Sequence, residues 1–202
     1  MKPTYQQFPS VPEALGATVK YLHLREEDGY LPGVDELRVS VDDRTRDIVL
    51  NNSNNPTGAL MDDALLREIV AVAPERGAWI HHDEAYRKLE HEPGATSPSI
   101  VDLHGKGVSS GSMSKSRSLA GLRTGWVAGP PEVIERCLEV RDCTTISCGV
   151  LDEVPATVAS SASTPSSSAA SRSCAATWRS STSGSGANRG STTCGRAPAP
   201  RR

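Results

Sequence analysis

Four short segments of this 202-residue chain gather side chains able to do chemistry. They are Asn54-Asn55-Pro56-Thr57-Gly58, Asp83-Glu84-Ala85-Tyr86, Ser112-Met113-Ser114-Lys115, and Leu119-Ala120-Gly121-Leu122-Arg123-Thr124-Gly125-Trp126. A lysine amine can add to a carbonyl carbon and afterwards carry a proton. A carboxylate stabilises a nearby positive charge, and an arginine with a hydroxyl neighbour suits an anion. Each segment alone also has an ordinary structural reading. Asn-Pro-Thr-Gly is turn chemistry, and an aspartate before Glu-Ala-Tyr caps a helix as readily as it does anything else.

Three rival chemistries weaken on inspection. Ser112-Met113-Ser114-Lys115 is a Ser-x-x-Lys motif, as in serine β-lactamase-like enzymes, but the Ser-Asp-Asn and Lys-Thr-Gly motifs that should follow it are missing. His81-His82-Asp83-Glu84 has the residue types of a metal cluster. On a strand, however, neighbouring side chains point to opposite faces, so His81 and His82 do not readily share an ion, and no metal is expected. Arg172, Arg179, Arg189, Arg196, Arg201 and Arg202 could touch phosphates, but they are scattered singly, with only Trp178 as an aromatic among them.

These segments need a scaffold, and the flanking sequence supplies one. Asp47-Ile48-Val49-Leu50-Asn51 reads as a buried strand running into the Asn-Pro-Thr-Gly turn. A helix follows from about Asp62 to Arg76, with Leu65, Leu66, Ile69, Val70 and Ala73 on one face. Gly77 to Asp83 reads as a second buried strand, with Lys106 to Ser112, more weakly patterned, and Leu122 to Ala128 as further strands. Thr18 to Leu24 alternates like a strand, Gly29 to Gly33 is a break, and Pro131 to Arg141 is a helix with proline in its first turn. Strands alternating with helices predict an α/β domain with a mainly parallel sheet, which binds ligands outside the carboxyl ends of its strands. Asn54-Asn55, Asp83 and Ser112 to Lys115 fall at such ends.

In this order and at these spacings, the four segments resemble the class I/II aminotransferases, pyridoxal-phosphate enzymes of fold type I. The resemblance covers about residues 3–158 and is strongest over 51–126. It implies pyridoxal 5'-phosphate as cofactor and an incomplete three-layer α/β/α large domain. Lys115 matches the catalytic lysine that condenses with the cofactor aldehyde, and Asp83 the carboxylate beside the pyridine nitrogen. Asn55 and Tyr86 match the donors to the phenolic oxygen, Ser112 and Arg123 the phosphate contacts, and His82 a place next to the Asp83 carboxylate. Lys2, Lys20, Lys88 and Lys106 are the other lysines, and none has comparable surroundings. The implied reaction is transamination, with a small-molecule amino acid as substrate and a keto acid as acceptor. The run from Ser112 to Arg123, with Arg141-Asp142-Cys143-Thr144-Thr145-Ile146-Ser147, looks most like arginine-directed members, capreomycidine-synthase-like cyclases and pyridoxal-phosphate-dependent arginine oxidases among them. The alternative of another class is a non-catalytic remnant or pseudogene product.

Composition bounds the rest. A net charge of −2 and the absence of a long apolar run predict no nucleic-acid or membrane partner. The N-terminal residues lack a secretory pattern, so a cytoplasmic location is expected. The five cysteines are odd in number and form no Cys-x-x-Cys pair, consistent with reduced thiols. After Val158 no acidic residue, lysine or large aliphatic residue occurs. Residues 1–158 are therefore read as a partial cofactor-binding domain, and residues 159–202 as a disordered Ser/Ala/Arg-rich tail. A reading-frame shift in a GC-rich gene near Val154 to Ser160 would produce such a switch. The family's upstream phosphate loop, its ring-stacking aromatic and its arginine for the substrate carboxylate have no match here. Weak cofactor binding is therefore expected, and the homodimer usual for the family is in doubt.

Overall fold

Strand β1 (Asp47–Asn51) pairs in parallel with β2 (Trp79–Asp83), and β2 in parallel with β3 (Gly107–Ser112). β4 (Gly125–Ala128) runs antiparallel beside β3, so the sheet order is β1-β2-β3-β4. This is the mainly parallel α/β arrangement expected. The computed structural model describes residues 1–73, 77–90 and 95–161.

Two-residue periodicity divides the sheet into faces with different tasks. Ile48 and Leu50 of β1 stand opposite Ile80 and His82 of β2 and face the core. The helix α3 (Asp63–Val70) covers this face with Leu65, Leu66 and Ile69. Its N-terminus is closed by Asp62, whose side chain accepts a 2.8 Å bond from the Leu65 N–H. Ile100, in a short 3₁₀ turn (Ile100–Asp102), completes the floor. A Cβ at Gly107 would lie 2.6 Å from the Ile100 carbonyl oxygen, so only glycine lets β3 pass this turn. Val49, Asn51, His81, Asp83 and Ser110 alternate onto the opposite face, where the polar residues collect.

Several boundaries differ from the sequence reading. Thr18 to Leu24 is not a strand but a single parallel bridge between His23 and Lys2. Leu22 and Leu24 are buried as the alternation predicts, but the partner segment continues into Pro3, which has no N–H for a ladder. The fourth strand begins at Gly125 rather than Leu122, because Ala120–Leu122 forms a 3₁₀ turn and Arg123 adopts a left-handed φ of 51°. The helix expected over 62–76 ends at Val70, and residues 74–76 lie outside those described.

Helices α1 (Gln7–Ala14), α2 (Val34–Ser40) and α5 (Val150–Ser161) were not expected; α4 (Pro131–Asp142) was. α1 and α5 contain Pro12 and Pro155, which argue against a helix interior when propensity alone is weighed. α5 continues to Ser161, three residues past the compositional break, and the remaining tail, 162–202, lies outside the described residues. Among the described residues no helix is long and apolar enough to cross a membrane.

Candidate active site

The carboxyl ends of β1, β2 and β3 lie side by side, and their last residues are Asn51, Asp83 and Ser112. Asn51 stands opposite Asp83 in register, and Asp83 opposite Ser110. The candidate residues form three local groups on this rim. In the first, Asn55 donates its backbone N–H to Asn51 Oδ1 at 2.7 Å, while Asn51 Nδ2 reaches Asp83 Oδ2 at 3.3 Å. In the second, Lys115 Nζ lies 5.5 Å from the centre of the Tyr86 ring, a cation–π distance. In the third, Arg123 Nη1 donates to Ser114 Oγ at 3.4 Å and to the Ala120 carbonyl at 2.9 Å, and the Ser114 N–H donates to Ser112 Oγ at 3.0 Å. The chain links the groups: Tyr86 follows Asp83 by three residues, and Lys115 follows Ser112 by three.

Local structure explains these positions. Asp83 Oδ1 accepts the Ala85 N–H at 3.0 Å, an Asx turn that ends β2 and swings Tyr86 out of the strand direction. The loop after β3 folds back on itself: Ser118 N–H donates to the Lys115 carbonyl at 3.0 Å and Leu119 N–H to the Met113 carbonyl at 3.0 Å. Met113 is buried and anchors this loop, leaving Lys115 and Arg123 exposed. Asn52 fastens the loop after β1 by donating to the Met61 carbonyl at 3.0 Å and accepting the Met61 N–H at 2.9 Å.

Burial pushes the Asp83 carboxyl above the ordinary carboxylate value, opposed by the Ala85 N–H and by His81 and His82. Such a carboxyl gains from a cationic partner, since its ionisation is held back mainly by desolvation and further by the Glu84 charge. Its neighbour Glu84 goes the other way. Burial would raise it, but hydrogen bonds from His82 and from Ser99 hold it below the ordinary glutamate value. Glu84 Oε1 lies 3.2 Å from His82 Nδ1, 2.7 Å from Ser99 Oγ and 3.0 Å from the Ile100 N. His82 therefore does not stand beside Asp83 but turns to the core face, only 1% exposed, as Glu84's partner. Its neighbour His81 takes the site face, with Nε2 3.1 Å from Ser110 Oγ.

Glu84's depressed value means that its contribution to stability is present above the unfolded glutamate pKa and is lost as pH falls through the lower folded value. Asp83 does the reverse: its contribution is present below the unfolded aspartate pKa and lost as pH rises through the raised folded one. Glu84→Gln is expected to cost about 1–3 kcal/mol at neutral pH and to flatten the acid limb of a denaturant-midpoint profile. An unchanged acid limb would remove Glu84 from that role.

Asn51 and Ser114 join the site although the sequence reading assigned them no role. Asn51 looked like the end of a strand, and only its register opposite Asp83 reveals it. Ser114 was signalled by its spacing of two from Ser112.

Comparison with known proteins places the chain in a family. The pattern of the family described as aminotransferase class I and II matches residues 1–176. Capreomycidine synthase of Streptomyces vinaceus is 33% identical over 157 residues, covering 78% of this chain and 40% of that protein. Arginine–pyruvate transaminase of Pseudomonas aeruginosa is 32% identical over 133 residues, covering 64% of this chain and 33% of that protein. The crystal structure of a PLP-dependent aminotransferase from Streptococcus suis superimposes with a TM-score of 0.74 at 43% identity, over 78% of this chain and 41% of that one. The chain thus spans about two-fifths or less of the length of these relatives. With the family's pattern matched over most of its length and its parallel-strand rim laid out as described, this chain belongs to the aminotransferase class I and II family.

Proposed function

We propose that this chain is the cofactor-binding core of a pyridoxal-phosphate-dependent aminotransferase, with Lys115 as the residue that bonds the cofactor and moves the substrate's α-proton. The observation that carries this reading is the convergence of Asn51–Asn55, Asp83 and the Ser112–Lys115 loop on adjacent parallel-strand ends.

The donor set fits the cofactor. Asp83 offers a carboxyl whose burial favours a cationic partner, suited to a protonated pyridine nitrogen. Asn55, tied to Asp83 through the Asn51 amide, and Tyr86, three residues after Asp83, carry the donors that suit the ring's phenolic oxygen. Ser112, Ser114 and Arg123 combine hydroxyls with a guanidinium, the chemistry a phosphate needs. When bound, pyridoxal 5'-phosphate supplies an aldehyde and a ring that withdraws electrons from the substrate's α-carbon. Lys115 Nζ would be the amine that bonds the aldehyde and, once displaced by the substrate's amine, the base that holds and returns the substrate's α-proton. The Asp83 carboxylate would favour the protonated ring nitrogen.

Arg123→Gln removes the phosphate site's cation while keeping a hydrogen-bonding side chain. It is expected to weaken pyridoxal-phosphate binding roughly 10- to 100-fold, the equivalent of one charged hydrogen bond. Equilibrium dialysis checks this, and unchanged affinity would exclude Arg123 from the site.

Arginine is the proposed amino-acid substrate, supported by the likeness to arginine–pyruvate transaminase. Full chain with cofactor, arginine and a keto acid should yield a new amino acid without oxygen uptake. Oxygen consumption without a keto acid would point to an oxidase, and no turnover with any amino acid to a non-catalytic remnant. Amino-acid metabolism in the cytoplasm and assembly as a homodimer belong to the same proposal.

A further inference from the structure

We infer that Asn51 is a positioning residue whose side-chain amide ties the backbone of Asn55 to the carboxylate of Asp83, so that both are held at one spacing. This rests on the reading of Asn55 and Asp83 as partners of the cofactor ring.

Asn51 ends β1, stands opposite Asp83, and is only 1% exposed. Its orientation follows from its partners. The Asn55 N–H can only donate, so the amide oxygen faces it, at 2.7 Å. The nitrogen must then face Asp83, where it lies 3.4 Å from the backbone oxygen and 3.3 Å from Oδ2. Both are acceptors, so the arrangement leaves no donor facing a donor. A flipped amide would set two donors against each other on the Asn55 side and two acceptors on the Asp83 side.

The neighbouring asparagines do different work. Asn52 bonds Met61 and Ser97, and Asn54 bonds Thr57 and Pro3. Both fasten the loop after β1, whereas the Asn51 side chain crosses to β2. It also brings a neutral donor to a crowded place. Asp83 is faced by His81 on its own strand face, is followed by Glu84, is preceded by His82, and stands opposite Ser110 on β3. Among these contacts the amide alone joins the carboxylate to Asn55, and its charge does not change with pH. Asp83 Oδ1 is already bonded to the Ala85 N–H, so one donor sits on each oxygen, and each keeps a lone pair for a further partner.

Two substitutions separate the two ends of this link. Asn51→Asp keeps an acceptor for the Asn55 N–H but replaces the donor to Asp83 with a second carboxylate. Asn51→Ala removes both bonds. Carbon NMR of the side-chain carboxyls in the full, cofactor-free chain reads the Asp83 end. The Asp83 midpoint should rise by about one pH unit in Asn51→Ala and further in Asn51→Asp. Amide hydrogen exchange reads the other end: Asn55 should exchange roughly tenfold faster in Asn51→Ala and stay protected in Asn51→Asp. An unmoved Asp83 midpoint, or equal Asn55 exchange in both variants, overturns the inference.

A measurement on the unsubstituted chain stands even if a variant fails to fold. The Asn51 side-chain NH₂ signals should follow the Asp83 titration, and failure to follow it overturns the link. Since none of these readouts involves cofactor, they are separable from the cofactor reading. That reading fails instead if pyridoxal phosphate gives no Lys115-dependent visible band.

Discussion

Lys115→Ala is expected to abolish the visible absorption band that pyridoxal phosphate gives with this chain, and to slow exchange of a bound amino acid's α-proton by roughly 10²- to 10⁴-fold, the usual contribution of a positioned acid–base group. The argument is local. Lys115 sits in the loop leaving β3, beside Tyr86 and three residues from Ser112. Three of the four competing lysines have their side chains engaged elsewhere. Lys20 Nζ pairs with Asp42 at 2.8 Å and with the Ser40 carbonyl at 2.9 Å. Lys106 Nζ donates to the Gly77 carbonyl at 3.0 Å and lies over Trp79, near the amino end of β2. Lys2 lies over Tyr21. Lysine amines on the open surface also condense weakly with aldehydes, so the comparison must be made at limiting cofactor. Under that condition, a band of undiminished intensity in Lys115→Ala would transfer the role to another lysine. Lys115→Arg keeps the positive charge near Tyr86 but offers no amine of the same reactivity. It should lose the band as completely while preserving more of the cofactor's non-covalent affinity.

The second large effect belongs to Asp83. Asp83→Asn keeps the shape of the side chain and its acceptor for the Ala85 N–H, but removes the negative charge. Breaking a buried charge pair by deleting one partner costs about 3–5 kcal/mol. At 1.36 kcal/mol per decade this is roughly 10²- to 10⁴-fold in the rate of α-proton exchange. The variant should still show a visible band, because Lys115 is untouched, so band and rate part company. Fold stability should part company with rate too. Desolvation holds the Asp83 carboxyl above its ordinary value, so removing the ionisable group relieves a burial cost above that raised value. Asp83→Asn also sets its new NH₂ against the Asn51 Nδ2 donor, so in the absence of cofactor its stability loss should stay within about 1–3 kcal/mol, less than the loss in rate. A variant that loses rate only in proportion to lost stability would mark Asp83 as a structural cap and nothing more.

How far the site was legible varied with the kind of signal. The strands ending at Asn51 and Asp83 were readable because their apolar runs break sharply into polar residues, whereas Gly107–Ser112 has a single large apolar residue, Val108, and gave a weaker signal; parallel pairing brings the three ends together. Lys115, Asp83, Asn55, Tyr86, Ser112 and Arg123 were singled out by the family resemblance that their order and spacing carry. The alternation that separates His81 from His82 was readable as well, but its consequence was not. Which face holds the core depends on Ile48, Leu50 and Ile80 packing on α3, and that sends His82 to Glu84 and away from the site. Asn51 was hidden for a related reason, since its role depends on register with a strand 32 residues away. Arg123 was singled out for its side chain, but its left-handed backbone, which delays β4 to Gly125, has no sequence signal in a non-glycine residue.

α1 shows how tertiary packing overrides local preference. Its proline-containing sequence buries no residue fully, yet Phe8 meets the edge of His81 at a ring separation of 6.2 Å. That contact places α1 over the polar face of β2, two residues from Asp83 along the strand. A helix formed by such packing leaves little periodicity to read.

The central claim is that Lys115 bonds the cofactor. Full-length chain would be mixed with a slight deficit of pyridoxal phosphate, reduced with borohydride to fix any carbon–nitrogen double bond, digested, and analysed by mass spectrometry. The reduced cofactor is predicted on the peptide carrying Lys115, and on that peptide far in excess of any other. Its presence mainly on Lys2, Lys20, Lys88 or Lys106, or an even spread over all five lysines, would contradict the account.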